Sequence, residues 1–145
     1  MRKVSLSSKI DVSKEKFWEV LTKIEDYPKY VKFMQSAKLF NGVKVGAKWE
    51  DTTRILLIPV RIMHRTTSFR EKEEISFEVD LPLGGKMLQQ IKIEGENSTT
   101  RVQGEVSFDL GNPLFNFLFG PILQMRIRQM LEGTLENFKN SYGNY

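Results

Sequence analysis

The sequence predicts an α+β fold: a strongly curved antiparallel sheet of about seven strands, in the order β-αα-β6-α, wrapped around one long C-terminal helix. Three observations carry this. From about residue 35 to Leu110, apolar and polar residues alternate in runs separated by short turn signals. After Asn112 the apolar spacing becomes helical. Before the alternating region, one strand-like run is followed directly by two short helical segments.

In residues 2–10, Val4, Leu6, Ser8 and Ile10 share one side and Lys3, Ser5, Ser7 and Lys9 the other, as in a strand with one buried face. Ser13 is a helix cap. Phe17, Val20, Leu21 and Ile24 form the apolar face behind it, with Trp18 at its flank. A second short helix starts at Asp26 and runs through Pro28 towards Phe33.

Asn41-Gly42 and Gly46 mark turns. Trp49, Asp51, Thr53, Ile55 and Leu57 then share one parity, and Ile58-Pro59 reads as a turn into a strand of residues 60–70. Ile75, Phe77, Val79 and Leu81 alternate with Ser76, Glu78 and Asp80; Pro82 and Gly84-Gly85 turn the chain. Met87, Gln89, Ile91 and Ile93 oppose Gln90, Lys92 and Glu94. After a turn at Glu96-Asn97-Ser98, Thr100, Val102, Gly104, Val106, Phe108 and Leu110 alternate with polar residues, Gln103 among them. Asn97-Ser98-Thr99 matches a glycosylation sequon and is read as a turn.

Asn112 is a helix cap, with Pro113 suited to the first helical position. Leu123, Ile127, Met130, Leu131, Leu135 and Phe138 form one stripe, opposite Gln124, Arg128, Gln129, Glu132, Glu136 and Lys139. Pro121 predicts a kink or a fresh helix start at Gly120–Pro121. From there to Tyr142 the helix is roughly 33 Å long at 1.5 Å per residue. It is the one element long enough to cover the sheet. A curved sheet gripping one helix tends to leave an apolar cavity between them, a usual setting for a small-molecule site. The tail at residues 143–145 is expected to fray.

At 145 residues the chain is expected to form a single domain, 1–145, with a real core. With no cysteine, disulfides and thiolate chemistry are excluded. No run resembles a signal peptide or a membrane span, so the expected setting is soluble and cytoplasmic. The net charge of +4 comes from 22 basic and 18 acidic residues spread along the chain. Nucleic-acid binding is therefore not expected. One histidine and no cysteine leave no metal cluster, and no motif calls for a cofactor.

The segment Phe17 to Leu39, with Phe17, Asp26, Tyr27, Pro28 and Phe33 in place, resembles the polyketide cyclase/dehydrase and coenzyme-Q-binding branch of the START-like superfamily, which has the Bet v 1-like helix-grip fold. Val45-Gly46 and Trp49-Glu50 are similar to that family's second hairpin, and the element order extends the resemblance over essentially the whole chain. The resemblance implies a cavity for an apolar or amphipathic ligand such as a lipid, isoprenoid, quinone or polyketide. It implies no reaction.

Strand parity and the resemblance together give the candidate pocket residues: Trp49, Asp51, Ile62, His64, Phe77, Met87, Gln89, Val106, Ile127, Met130 and Leu131. A turn centred on Ile58-Pro59 puts Thr53 opposite His64 and Asp51 on the diagonal. Met63 and Phe69, apolar on the other parity, signal a bulge or another register. Asp51 and His64 would then either hydrogen-bond a ligand, or act as an acid/base pair in a cyclase-dehydratase, or be polar groups satisfied by neighbours or exposed at the sheet end. Arg126 and Arg128 are either surface charges or anchors for a carboxylate at the pocket mouth. Leu114, Phe115, Phe117, Leu118 and Phe119 are read three ways: core packing, a lid over the cavity, or a peripheral membrane or protein contact. A third function class is a ribosome-associated interaction module, using Lys14, Lys16, Lys23, Lys29, Lys32 and the Phe patch. Binding by burial has the magnitude to work: about 300 Å² of apolar ligand surface contributes on the order of 7 kcal/mol before association costs.

Overall fold

The computed structural model of the protein describes residues 1–55, 58–81 and 84–142. Leu57, Pro82 and the tail 143–145 lie outside the described residues. β1 (Arg2–Ile10) buries Val4 and Ile10 completely and exposes its lysines. α1 (Lys14–Thr22) begins where the Lys16 N–H donates to Ser13 Oγ, and it buries Phe17, Trp18 and Leu21. A 3₁₀ helix follows over Ile24–Lys29. It starts at Ile24 rather than at the expected Asp26 and runs through Pro28 towards Phe33, where the chain turns at a φ of 74°. That left-handed conformation is rare for a bulky side chain.

Then come β2 (Met34–Leu39), β3 (Lys48–Ile55), β4 (Ile58–Arg70), β5 (Glu74–Asp80), β6 (Lys86–Glu96) and β7 (Thr99–Asp109). They form a seven-stranded antiparallel sheet in the order β1-β7-β6-β5-β4-β3-β2. Ile93, Val102, Val106 and Phe108 are buried on the inner face, while Gln103 is exposed. Residues 97–98 form a turn, as read from the sequon.

The β3–β4 hairpin corrects the sequence register. Ile55 pairs with Ile58 and Trp49 with His64, so Trp49, not Thr53, is directly opposite His64. Asp51 pairs with Ile62 and stays on the diagonal. Pro59 misled the reading as a turn residue, yet it sits inside β4, opposite Arg54. There β4 extends beyond β5, whose first partner is His64 opposite Val79. A strand flank without a partner tolerates a residue that lacks an N–H. Parity survived the slip, because the pairing moved by an even number of residues. The Phe69 signal was a bulge, between Thr66 and Ser68. It turns Phe69 inward against Trp18, at 5.4 Å between ring centroids. Met63, before the bulge, stays outside.

α2 (Pro113–Tyr142) is one unbroken helix. Its cap is Asn112 Oδ1, which accepts the Leu114 and Phe115 N–H groups. A fresh helix start at Gly120–Pro121 does not occur. Pro121 removes a bond to the carbonyl of Phe117, whose residue is 76% exposed, so water can satisfy that oxygen. Gly120 serves a close approach instead. A Cβ there would lie 2.2 Å from Arg2 Nε, and Arg2 bonds Gln124 Oε1 on the next turn at 2.9 Å.

The core has two parts. One, under α1, holds Phe17, Leu21, Ile24, Tyr27, Trp49, Phe77 and Phe138. The other holds Val4, Val79, Met87, Val106, Phe108 and Ile127. α2 contributes Phe138 to the first and Ile127 to the second. Sheet and helix do not close between them.

Candidate functional site: a cavity between sheet and helix

The gap is a cavity of ≈ 150 Å³. Its sheet wall includes Trp49, Asp51, Thr53, Ile62, His64, Phe77, Met87, Gln89 and Val106, and its helix wall includes Leu123, Arg126, Ile127, Met130 and Leu131. All eleven candidate pocket residues from the sequence reading line this one space. Inward parity places those on strands; helical spacing of Ile127, Met130 and Leu131 places those on α2.

A polar knot sits in this apolar lining. Asp51 and His64 are each 2% exposed. His64 Nε2 meets Asp51 Oδ2, and Nδ1–H donates to Gln89 Oε1 at 2.9 Å. Thr53 Oγ1–H donates to Asp51 Oδ1 at 2.6 Å. The imidazole stacks on the Trp49 indole, 3.8 Å between centroids and 4° from parallel. That contact follows directly from the corrected register, which makes the two residues partners. Phe77 closes the stack edge-on to Trp49 at 5.2 Å. Both ring nitrogens of His64 are engaged, so neither is free to take a substrate proton while the knot is intact.

Tyr27, of the Asp26-Tyr27-Pro28 motif, lines the same space and packs edge-on against Trp49. Its O–H donates to the Leu21 carbonyl, and burial pushes its phenol above the ordinary value. The motif thus fixes the first helical segment against the cavity wall.

Three further wall residues, outside the pocket residues expected from the sequence, matter here: Gly104, Phe33 and Arg54. Gly104 is buried in β7, and a Cβ there would meet only Leu131 Cδ2, at 3.6 Å. A glycine inside an alternating strand marks such a space. Phe33 lines the cavity beside Arg54, whose N–H donates to the Phe33 carbonyl at 2.9 Å. Arg54 is the exposed member of the described wall, which locates the open end. Arg126, left in the sequence reading as a surface charge or an anchor, lies there too, with its guanidinium 3.6 Å over the Phe33 ring. Arg128 is exposed and away from the wall.

The Phe patch is not a lid, since no wall residue comes from Leu114, Phe115, Phe117, Leu118 or Phe119. It is not core either: Leu114, Phe117, Leu118 and Phe119 are 50–76% exposed. No described helix is long and apolar enough to cross a membrane.

A family model described as polyketide cyclase / dehydrase and lipid transport matches residues 1–143. The chain belongs to this family. Its membership implies hydrophobic ligand binding, the class of function for which the mainly apolar wall is suited. No curated protein matches the chain in sequence. Solved structures share the helix-grip fold at low identity. A START superfamily protein from Mycobacterium smegmatis matches with a TM-score of 0.80 and 14% identity, over 97% of this chain and 96% of that one. A protein from Thermus thermophilus gives 0.79 and 16% identity, over 96% and 95%. The protein Ara h 8.0201 gives 0.75 and 14%, over 97% and 96%. At these identities the likeness concerns the fold, so the site must be argued from its own residues.

Proposed function

We propose that this member of the polyketide cyclase / dehydrase and lipid transport family binds a small apolar molecule, in transport or sequestration, inside the cavity between sheet and C-terminal helix. The observation that carries the reading is the cavity itself, lined mainly by apolar side chains between two well-packed halves of the core. Its size bears on the ligand. An apolar void of about 150 Å³ takes up benzene, whereas ordinary ligand pockets span about 300–1,000 Å³. A single ring or a short aliphatic chain fits without movement. A full quinone, isoprenoid or polycyclic polyketide requires the open end at Phe33 and Arg54 to widen.

A second reading, a cyclase-dehydratase using Asp51 and His64, has one observation in its favour: both side chains reach the same cavity. Against it, His64 is held by Asp51 on one nitrogen and Gln89 on the other. The knot reads better as a self-satisfied polar cluster than as a poised base. An interaction module of the ribosome-associated kind requires no cavity, so the void counts against it.

Native mass spectrometry of freshly purified protein, followed by solvent extraction, tests the binding reading. The expected result is a mass excess equal to one small apolar molecule, recovered in the extract. An apo mass, together with no uptake of any ring- or chain-sized apolar probe, overturns the reading.

A further inference from the structure

The cavity wall carries unsatisfied donors. Arg126 Nε is buried and has no hydrogen-bond partner. Trp49 Nε1 is likewise buried and unpartnered. The Gln89 amide nitrogen has only the Met87 sulfur, at 3.6 Å, which is a weak acceptor. The carboxylates that border the cavity are committed. Asp51 receives Thr53 and meets His64. Glu105, which also borders the cavity, pairs with Lys3 at 3.5 Å. Arg126 therefore brings a guanidinium to an apolar wall with no carboxylate to balance it among the described residues. Its one partner is the Phe33 ring face. Phe33 is turned towards it from a strained backbone position. Buried donors without acceptors are rare in folded proteins and ask for a reason.

We infer that the ligand is an apolar acid, a small aliphatic or aromatic carboxylate whose anion pairs with Arg126 while its hydrocarbon part fills the void. A carboxylate matches the guanidinium fork with two parallel hydrogen bonds, and it is small enough to leave the void to the hydrocarbon. Phe33 holds the guanidinium in place by its face and leaves the donor edge to the carboxylate. The orientation follows: the acid group lies beside Arg126 and Phe33, and the hydrocarbon part fills the rest of the void. This inference rests on the cavity-binding reading and names its ligand class.

The test uses two probes of matched length, hexanoate and hexan-1-ol, titrated by calorimetry at pH 7 into the wild type, Arg126→Gln and Arg128→Gln. The wild type and Arg128→Gln are expected to bind hexanoate roughly tenfold or more tighter than hexan-1-ol. Arg126→Gln is expected to lose the preference for the acid and to bind the two probes about equally. Equal binding of the two probes by the wild type, or a preference that survives Arg126→Gln, overturns the inference and leaves the cavity reading standing. Binding of neither probe by the wild type overturns both.

Discussion

Gly104→Met abolishes ligand uptake while leaving the protein as stable as the wild type or more so. Gly104 is buried in β7, between Leu6 of β1 and Ile91 of β6. Its backbone is not in the left-handed region that would require glycine. A Cβ would make an ordinary contact with Leu131 Cδ2 at 3.6 Å. Beyond that first carbon, the room for a longer side chain is the void itself. Methionine is unbranched and adapts to irregular gaps. Each methylene it buries contributes about 0.8 kcal/mol, and loss of glycine's freedom in the unfolded chain adds about 0.4–1 kcal/mol. Misfit in the core costs about 1–3 kcal/mol. The net change in stability is therefore small, and affinity for hexan-1-ol is expected to fall below detection. Gly104→Ala, which fills only the first carbon's worth, retains binding. Calorimetric titration beside urea unfolding reads both quantities. Full binding by a folded Gly104→Met variant would place the ligand elsewhere.

The second large effect concerns stability. Asp51→Ala removes the acceptor shared by His64 and Thr53, both buried. Each orphaned donor costs about 1–3 kcal/mol, and the lost carboxylate gives no compensating packing. A loss of about 3 kcal/mol is expected in urea unfolding. The partners act as a unit, so the double variant Asp51→Ala/His64→Ala is expected to be less destabilised than the sum of the single changes, by about 1–3 kcal/mol. Strict additivity would mean that the knot holds no coupled energy, and the cluster would then need another reason for its burial.

These two sites differ in how far the sequence revealed them. Asp51 and His64 were legible because strand parity is robust: a hairpin slip by an even number of residues leaves the inward face unchanged. What the slip hid was the stacking of His64 on Trp49, since that depends on which residue is directly opposite. Pro59 caused the error, for its turn signal is local, while the free flank that tolerates it is set by where β5 ends. The α2 stripe of Ile127, Met130 and Leu131 was legible from spacing alone. Gly120–Pro121 was not, because the close approach of Arg2 comes from β1, far away in sequence. The space beside Gly104, and the choice between surface charge and anchor for Arg126, were not legible for a related reason. A missing side chain and an unpartnered cation gain meaning only from what surrounds them in space. The low identity to other helix-grip structures leaves these particular residues as the ground for any statement about this chain's ligand.

The most direct measurement follows the indole N–H signals of the two tryptophans by proton–nitrogen NMR as toluene, a ring-sized probe, is titrated in. Trp49 lines the cavity and its Nε1 lacks a partner. Trp18 packs against Phe69, off the cavity wall, and is an internal control. The Trp49 indole signal is expected to shift saturably and the Trp18 signal to stay in place. A Trp49 signal that stays fixed at saturating probe, or a shift confined to Trp18, would contradict the claim that this cavity is the binding site.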